Sequence, residues 1–276
     1  MIPMDIIQAT VLGIVQGLTE FIPISSTAHL RIVPALLGWD DPGAAFTAVI
    51  QIGTLIAVFV YFRRDIASLV TGFFKALALR APFGSIEARL AWWIMLGTLP
   101  IGIGGLLFKE LIEGGFRSIY VISGSLIVLA LLLLLAERIG KRKRTISQLR
   151  ISDTQLIGLA QAIALIPGAS RSGTTITAGL LLHMRREDAA RFSFLLSIPA
   201  ITLSGVYQLY ELRDALAGAF GLSLLIATLV SGIVGYLSID FLLRFLRTHS
   251  TMLFIVYRIA LGIILLLLVS LNIIQP

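Results

Sequence analysis

Seven residues that could do chemistry stand within fourteen positions near the start of the chain: Gln16, Thr19, Glu20, Ser25, Ser26, Thr27 and His29. Gln16 and Glu20 are four positions apart, so a helix would put them on one face. Pro23 would end that helix, and Ser25-Ser26-Thr27 falls where a second one should begin. Free N–H groups and a positive dipole end belong there, a cradle for an anion. Serine and threonine at a helix start are also plain caps, and a lone histidine is commonly structural. Glu20 is harder to read as structural, because a carboxylate in apolar sequence is costly. A second cluster spans Pro167-Gly168-Ala169-Ser170-Arg171-Ser172-Gly173-Thr174-Thr175, and Arg171 is the only basic residue between Arg150 and His183. A guanidinium there needs an anionic partner, which could be Glu20, a phosphate, or both. A structural Arg–Glu pair is one reading. The hydroxyls of Ser170, Ser172, Thr174 and Thr175 around one arginine favour a phosphate site, and the glycines let backbone approach a ligand closely.

These clusters need a frame. Of the 276 residues 57% are hydrophobic and 13% charged, whereas soluble domains carry about 25% charged residues. Lipid is the solvent that tolerates such a surface, and in lipid only helices or closed barrels satisfy the backbone. Apolar runs of about 20 residues without alternation select helices. Six such runs are expected, near 43–62, 88–108, 118–136, 189–208, 219–243 and 252–272. Two further regions, about 5–38 and 154–184, are broken by Pro, Gly and hydroxyl residues, and each reads as two half-helices that enter the membrane and return to the same side. The chain has no Cys, so neither a disulfide nor a thiolate metal site is available. No cleavable signal peptide is expected, because no basic residue precedes Arg31.

Charge sets the expected sidedness. Sixteen of the 22 Lys and Arg lie in loops between 63 and 89, 138 and 150, 185 and 191, and 244 and 247. Four (Arg31, Lys109, Arg117, Arg213) lie in the other loops, and Arg171 and Arg258 fall within apolar segments. The positive-inside rule makes the first side cytoplasmic, with both termini outside. The spread of basic residues over four loops also argues against nucleic acid as the partner of the net charge of +7.

The broken regions resemble each other. Residues 12–27 read LGIVQGLTEFIPISST and residues 157–172 read IGLAQAIALIPGASRS. Aligned with one gap, Gln16 faces Gln161, Pro23 faces Pro167 and Ser26 faces Ser170. An odd number of spans separates them, so the second copy would enter from the opposite face. The expected fold is therefore all-α and polytopic: a single membrane domain over 1–276, with about six transmembrane helices plus two re-entrant broken-helix pairs. These would form two inverted-topology repeats, about 1–140 and 150–276, an architecture whose sites lie between discontinuous helices near the midplane.

The motifs Gln16-Gly-Leu-Thr-Glu20-Phe-Ile-Pro-Ile-Ser-Ser-Thr-Ala-His29 and Pro167-Gly-Ala-Ser-Arg-Ser-Gly-Thr-Thr175 resemble the two signatures of the undecaprenyl-diphosphate phosphatase family, linked to bacitracin resistance. Both match without a break, and the resemblance covers the whole chain. It implies hydrolysis of undecaprenyl diphosphate to the monophosphate at the outer face of the bacterial plasma membrane, regenerating the lipid carrier for wall polymers. Within that reading Arg171 and the half-helix N–H groups, with Ser25, Thr27, Ser170, Ser172, Gly173, Thr174 and Thr175, would hold the diphosphate and stabilise transition-state charge. Ser26 is the candidate nucleophile, with Glu20 or His29 taking its proton or activating water. The family is associated with divalent cations, and Glu20 with Gln16 could supply oxygens to Mg²⁺ or Ca²⁺. Many members have Glu where this chain has Gln16, so one negative charge is missing from that set. Polyprenyl diphosphate and membrane lipids are the expected partners, with a homodimer left open. The competing reading is a transporter that flips a phosphorylated polyprenyl lipid through the same pocket.

Overall fold

The computed structural model describes residues 4–114, 116, 118–213, 216 and 219–274, and within them every regular element is a helix apart from one isolated bridge between Arg144 and Met184. Arg117, one of the four basic residues of the sparse side, lies outside the described residues. The helices are α1 (Ile6–Thr19), α2 (Ser26–Leu37), α3 (Gly43–Tyr61), α4 (Arg63–Ala78), α5 (Ile86–Leu107), α6 (Lys109–Glu113), α7 (Ile119–Ile139), α8 (Ile151–Ile163), α9 (Arg171–Leu181), α10 (Arg186–Glu211), α11 (Ala219–Thr248) and α12 (Met252–Ser270). Six of these (α3, α5, α7, α10, α11 and α12) are long and apolar enough to cross a membrane, the shortest having 19 residues, about 28 Å of rise. Their outward faces are apolar, as at Leu106, Leu131, Leu229 and Leu267.

The six expected spans match these helices. The structure adds α4, which the sequence reading left in a loop because its charges break the apolar run. It also extends two ends. Helix α10 starts at Arg186, where Glu187 and Asp188 in the first turn complement the helix dipole. Helix α11 runs on to Thr248, with Arg247 in its last turn.

Close backbone approach ties the short helices to the spans. A Cβ on Gly13 of α1 would lie 2.6 Å from the Ala227 carbonyl of α11, and one on Gly17 would lie 2.6 Å from Val234 Cβ. Helix α8 meets α5 in the same way, since a Cβ on Gly158 would run into the Gly97 carbonyl. Small residues at such seams are what let helices associate in lipid, where burial alone supplies no drive. Helix α3 packs on α10 and α11, α7 on α12, and α9 sits among α7, α8 and α10. Phe21, just after α1, meets Phe194 of α10 edge-to-face at 5.0 Å, and Phe62 lies 6.2 Å from the same ring.

One end of the bundle is tied together by ions. Glu137 at the end of α7 binds Arg186 of α10 through Nε at 3.0 Å and through Nη2, and accepts from Thr251 Oγ1 at the start of α12 at 2.8 Å. Arg191 of α10 pairs with Asp65 of α4, and Arg247 of α11 with Glu187 of α10. Arg144 pairs with Asp153 of α8, while its backbone N–H donates to His183 O, just past α9, at 3.0 Å. At the other end, Ser223 of α11 donates to Met4 O at 2.8 Å and Lys109 donates to Tyr207 of α10 at 2.8 Å.

Candidate active site

The two breaks face each other across the middle of the bundle. Helix α1 ends at Thr19, and the turn through Glu20–Ile24 leads to Ser25, which caps α2 with φ 78° and ψ 97°. Helix α8 ends at Ile163, and the chain turns through Gly168 (φ 90°) to Ser170, which caps α9 with φ 67° and ψ 110°. A positive φ on serine costs on the order of 1–3 kcal/mol and persists only where surroundings enforce it. The Ser25 hydroxyl accepts from Ala28 N at 3.4 Å and that of Ser170 from Gly173 N at 3.1 Å. This shared cap corrects the gapped alignment: Ser25, not Ser26, corresponds to Ser170, and Ser26 stands where the second break has Arg171. Without the gap, Gln16 and Gln161 keep their correspondence, each nine residues before its cap.

Glu20 is the hub. It is 6% exposed, and its Oε2 accepts from Gln16 Nε2 at 2.9 Å and from Ser26 Oγ at 2.6 Å. Its Oε1 pairs with Arg171 Nη2. The carboxylate thus gathers the end of α1, the start of α2 and the start of α9. Among the described residues Arg171 Nη1 donates to the Ser197 carbonyl, at 3.4 Å, a long contact that a phosphate oxygen could replace. The first N–H groups of α2 and α9 have no partner within their own helices and flank the same spot.

The other expected residues divide by role. Ser25 and Thr27 share a hydroxyl contact at 3.2 Å. Ser170 and Ser172 share another at 3.2 Å, and Ser172 also reaches Ile22 O across the breaks at 3.5 Å. Thr174 and Thr175 donate back to Arg171 O at 3.0 and 2.7 Å, and Thr175 also contacts Ser193 of α10 at 2.6 Å. Those two hydroxyls are occupied within α9 and its packing rather than turned toward Glu20. His29 is buried one turn beyond the cap, with Nδ1 2.7 Å from Ser25 O and Nε2 2.6 Å from Tyr257 OH of α12. A carbonyl only accepts, so Nδ1 carries the proton and Nε2 faces the phenol.

Two residues on α12 were not among the expected site residues, although Arg258 stood out in its apolar segment. Tyr257 stacks on His29 with centroids 5.7 Å apart. Arg258 is 0% exposed and donates to Gly168 O at 3.1 Å, Ala169 O at 3.0 Å, Pro23 O at 3.4 Å and Ser125 O at 3.4 Å. One guanidinium therefore braces both breaks and α7. A Cβ on Gly173 would lie 2.7 Å from its Nη1, so the glycine admits the brace. The signal was legible: an arginine inside an apolar run needs acceptors. What sequence lacked was their identity.

For a divalent cation, the donors on hand are Glu20 and the buried Gln16 Oε1, which has no hydrogen-bond partner. No group of three or more His, Cys, Asp or Glu is close enough to hold a metal among the described residues. That set fits a Mg²⁺-like ion only if water and substrate phosphate oxygens complete its shell.

Sequence comparison gives the same direction. The family described as bacitracin resistance protein BacA matches residues 9–264. The undecaprenyl-diphosphatase of Myxococcus xanthus is 59% identical over 273 residues, covering 99% of this chain and 92% of that protein. That of Chloroherpeton thalassium is 58% identical over 278 residues, covering 98% of each. That of Chlorobium phaeobacteroides is 59% identical over 269 residues, with 94% and 95% covered.

Proposed function

The chain belongs to the BacA family of bacitracin resistance proteins, and from that membership we propose that it is an undecaprenyl-diphosphatase, converting undecaprenyl diphosphate to undecaprenyl phosphate and inorganic phosphate. The observation that carries the reading is Glu20, which binds Gln16, Ser26 and Arg171 at once. A carboxylate on a serine hydroxyl beside a guanidinium suits a phosphoryl transfer through serine.

In this mechanism the terminal phosphate lies on the Nη1 edge of Arg171 and on the N–H groups that start α2 and α9. Ser26 Oγ attacks the terminal phosphorus while Glu20 takes its proton. The bond from that phosphorus to the bridging oxygen breaks as Glu20 passes that proton to it, and undecaprenyl phosphate leaves with the carboxylate of Glu20 restored. Water then attacks the phosphoserine, its proton passing through Glu20 to Ser26 Oγ as the P–O bond to serine breaks. Arg171 stabilises the charge that spreads over the phosphoryl oxygens. Glu20 and Gln16 Oε1 would hold a divalent cation, whose chemistry would be to neutralise phosphate charge. The stack of His29 on Tyr257 holds the Ser25 carbonyl through Nδ1 and would thereby keep the neighbouring Ser26 in place.

The two broken pairs read as re-entrant. The start of α8 and the end of α9 both meet Arg144. Met4, just before α1, lies with Trp39, just after α2, beside Leu212 and Phe220. Each pair would therefore return to the side it came from, and the two would enter from opposite ends, as an inverted repeat demands. The packing of α1 on α11 and of α8 on α5 has the same exchange symmetry. The ion-tied end carries most loop Lys and Arg and would face the cytoplasm. The first break would then open outward, with both termini outside.

The test is release of inorganic phosphate from undecaprenyl diphosphate in detergent, where no transmembrane gradient exists. Wild type releases phosphate, Arg171→Ala does not, and Arg171→Lys stays within about tenfold of the Ala variant because the planar fork is lost. Wild-type protein that releases none would overturn the assignment in favour of lipid flipping.

A further inference from the structure

Helix α4 has no part in the site, yet its sixteen residues divide into three sectors. Ile66, Leu69 and Phe73 turn to the protein, with Phe73 5.2 Å from Trp92 of α5. Val70 (49% exposed), Phe74 (63%) and Leu77 (42%) form an apolar strip open to the outside. Arg64, Ser68, Thr71 and Lys75 make the polar sector, since positions three, four and seven apart share a helix face. Three sectors of this kind suit a helix lying in the plane of a bilayer surface.

The polar sector borders a groove of ≈ 600 Å³ between α4 and the start of α5, lined in part by Ser68, Thr71, Lys75, Leu79, Ser85 and Glu87. Gly72 forms its floor, because a Cβ there would lie 2.6 Å from Glu87 Cβ. The groove therefore presents one ammonium and one carboxylate. Neither has an ion-pair or hydrogen-bonding side-chain partner among the described residues, and they are not paired with each other. Glu87 in the first turn of α5 favours the helix dipole, but that accounts for neither Lys75 opposite it nor the hydroxyls between.

We propose that this groove is a binding site for the headgroup of phosphatidylethanolamine. Its phosphate would lie on Lys75 with the Ser68 and Thr71 hydroxyls, its ammonium would donate to Glu87, and its acyl chains would leave past Leu79, the exposed leucine of the lining. The pairing of opposite charges selects a zwitterion. Phosphatidylglycerol brings no cation, which sets Glu87 against an anion. Phosphatidylcholine brings a cation without an N–H, so it cannot hydrogen-bond the carboxylate.

The experiment uses the full chain in nanodiscs of equal parts phosphatidylethanolamine, phosphatidylcholine and phosphatidylglycerol, with native mass spectrometry counting the lipids retained. Wild type retains phosphatidylethanolamine in preference to the other two. Glu87→Gln loses that preference and retains more phosphatidylglycerol than wild type. Lys75→Gln, at an exposed side chain, lowers retention of phosphatidylethanolamine by about fivefold, the effect of one basic residue at a lipid surface. Arg138→Gln, an equal charge change elsewhere at the same end of the bundle, changes nothing. Phosphate release in detergent by every variant confirms an intact fold. Equal retention of the three lipids by wild type, an unchanged preference in Glu87→Gln, or an Arg138→Gln result matching Lys75→Gln would each overturn the proposal.

Discussion

In the sequence Ser26 is the candidate nucleophile, and Glu20 and His29 are both candidates to take its proton. Geometry separates them. The Ser26 hydroxyl lies on Glu20, whereas both nitrogens of His29 are engaged, one by the Ser25 carbonyl and one by Tyr257. A serine hydroxyl is a weak nucleophile unless a base takes its proton, and here the base in contact is a carboxylate. Ser26→Ala is expected to lower turnover by at least about 100-fold, typical of losing a positioned proton-transfer partner, with little change in binding of a non-hydrolysable diphosphate lipid. Near-wild-type turnover would rule out attack by Ser26. Tyr257→Phe keeps the stacked ring and leaves His29 Nε2 without its partner. Losing one hydrogen bond to a buried group corresponds to roughly tenfold in rate, so kcat should fall by about that factor while KM holds within about twofold. A kcat equal to wild type would make the pair a matter of packing alone.

At the level of elements, the two breaks hold their shape through a helix remote in sequence. Arg258 of α12 donates to carbonyls in both turns, and each buried carbonyl left unpaired costs about 1–3 kcal/mol. Arg258→Leu should therefore loosen both breaks together. Hydrogen exchange at 24–26 and 168–171 is expected to quicken, with a lower unfolding temperature and little phosphate release. Exchange that stays as slow as in wild type would mean that the caps Ser25 and Ser170 hold the turns unaided. The gapped alignment of the breaks went astray at this scale as well. It matched proline to proline, but a proline can sit at either of two neighbouring turn positions, whereas the positive-φ cap fixes register.

For the whole molecule, ion pairs and hydrogen bonds gather the ends of α7, α9 and α11 and the starts of α4, α8, α10 and α12 at one end of the bundle. The chain has no cysteine, so single cysteines can report sidedness directly. Asp40→Cys, in the exposed turn after α2, should react with an impermeant thiol reagent on intact cells. Lys143→Cys, beside the end of α9, should react only after the membrane is opened. The reverse pattern would invert the orientation and place the first break toward the cytoplasm.

Composition and periodicity were enough to determine an all-helical chain with six spans, because an apolar run of about 20 residues has one stable state in lipid. The polar residues of both breaks were equally legible, since a carboxylate or guanidinium in apolar sequence stands out by its cost. Helix α4 was not, because it interleaves apolar and charged residues and reads locally as a loop. Glu20 was legible as one candidate partner of Arg171, but the sequence could not say that it binds Arg171 and Ser26 at once while His29 turns to Tyr257, or that Arg258 braces both turns. Those pairings join residues separated by 151 positions for Arg171 and Glu20 and by 228 for His29 and Tyr257. A hydrogen bond is decided within a few tenths of an ångström, and only the packing of α1, α9 and α12 around the two breaks sets distances that fine.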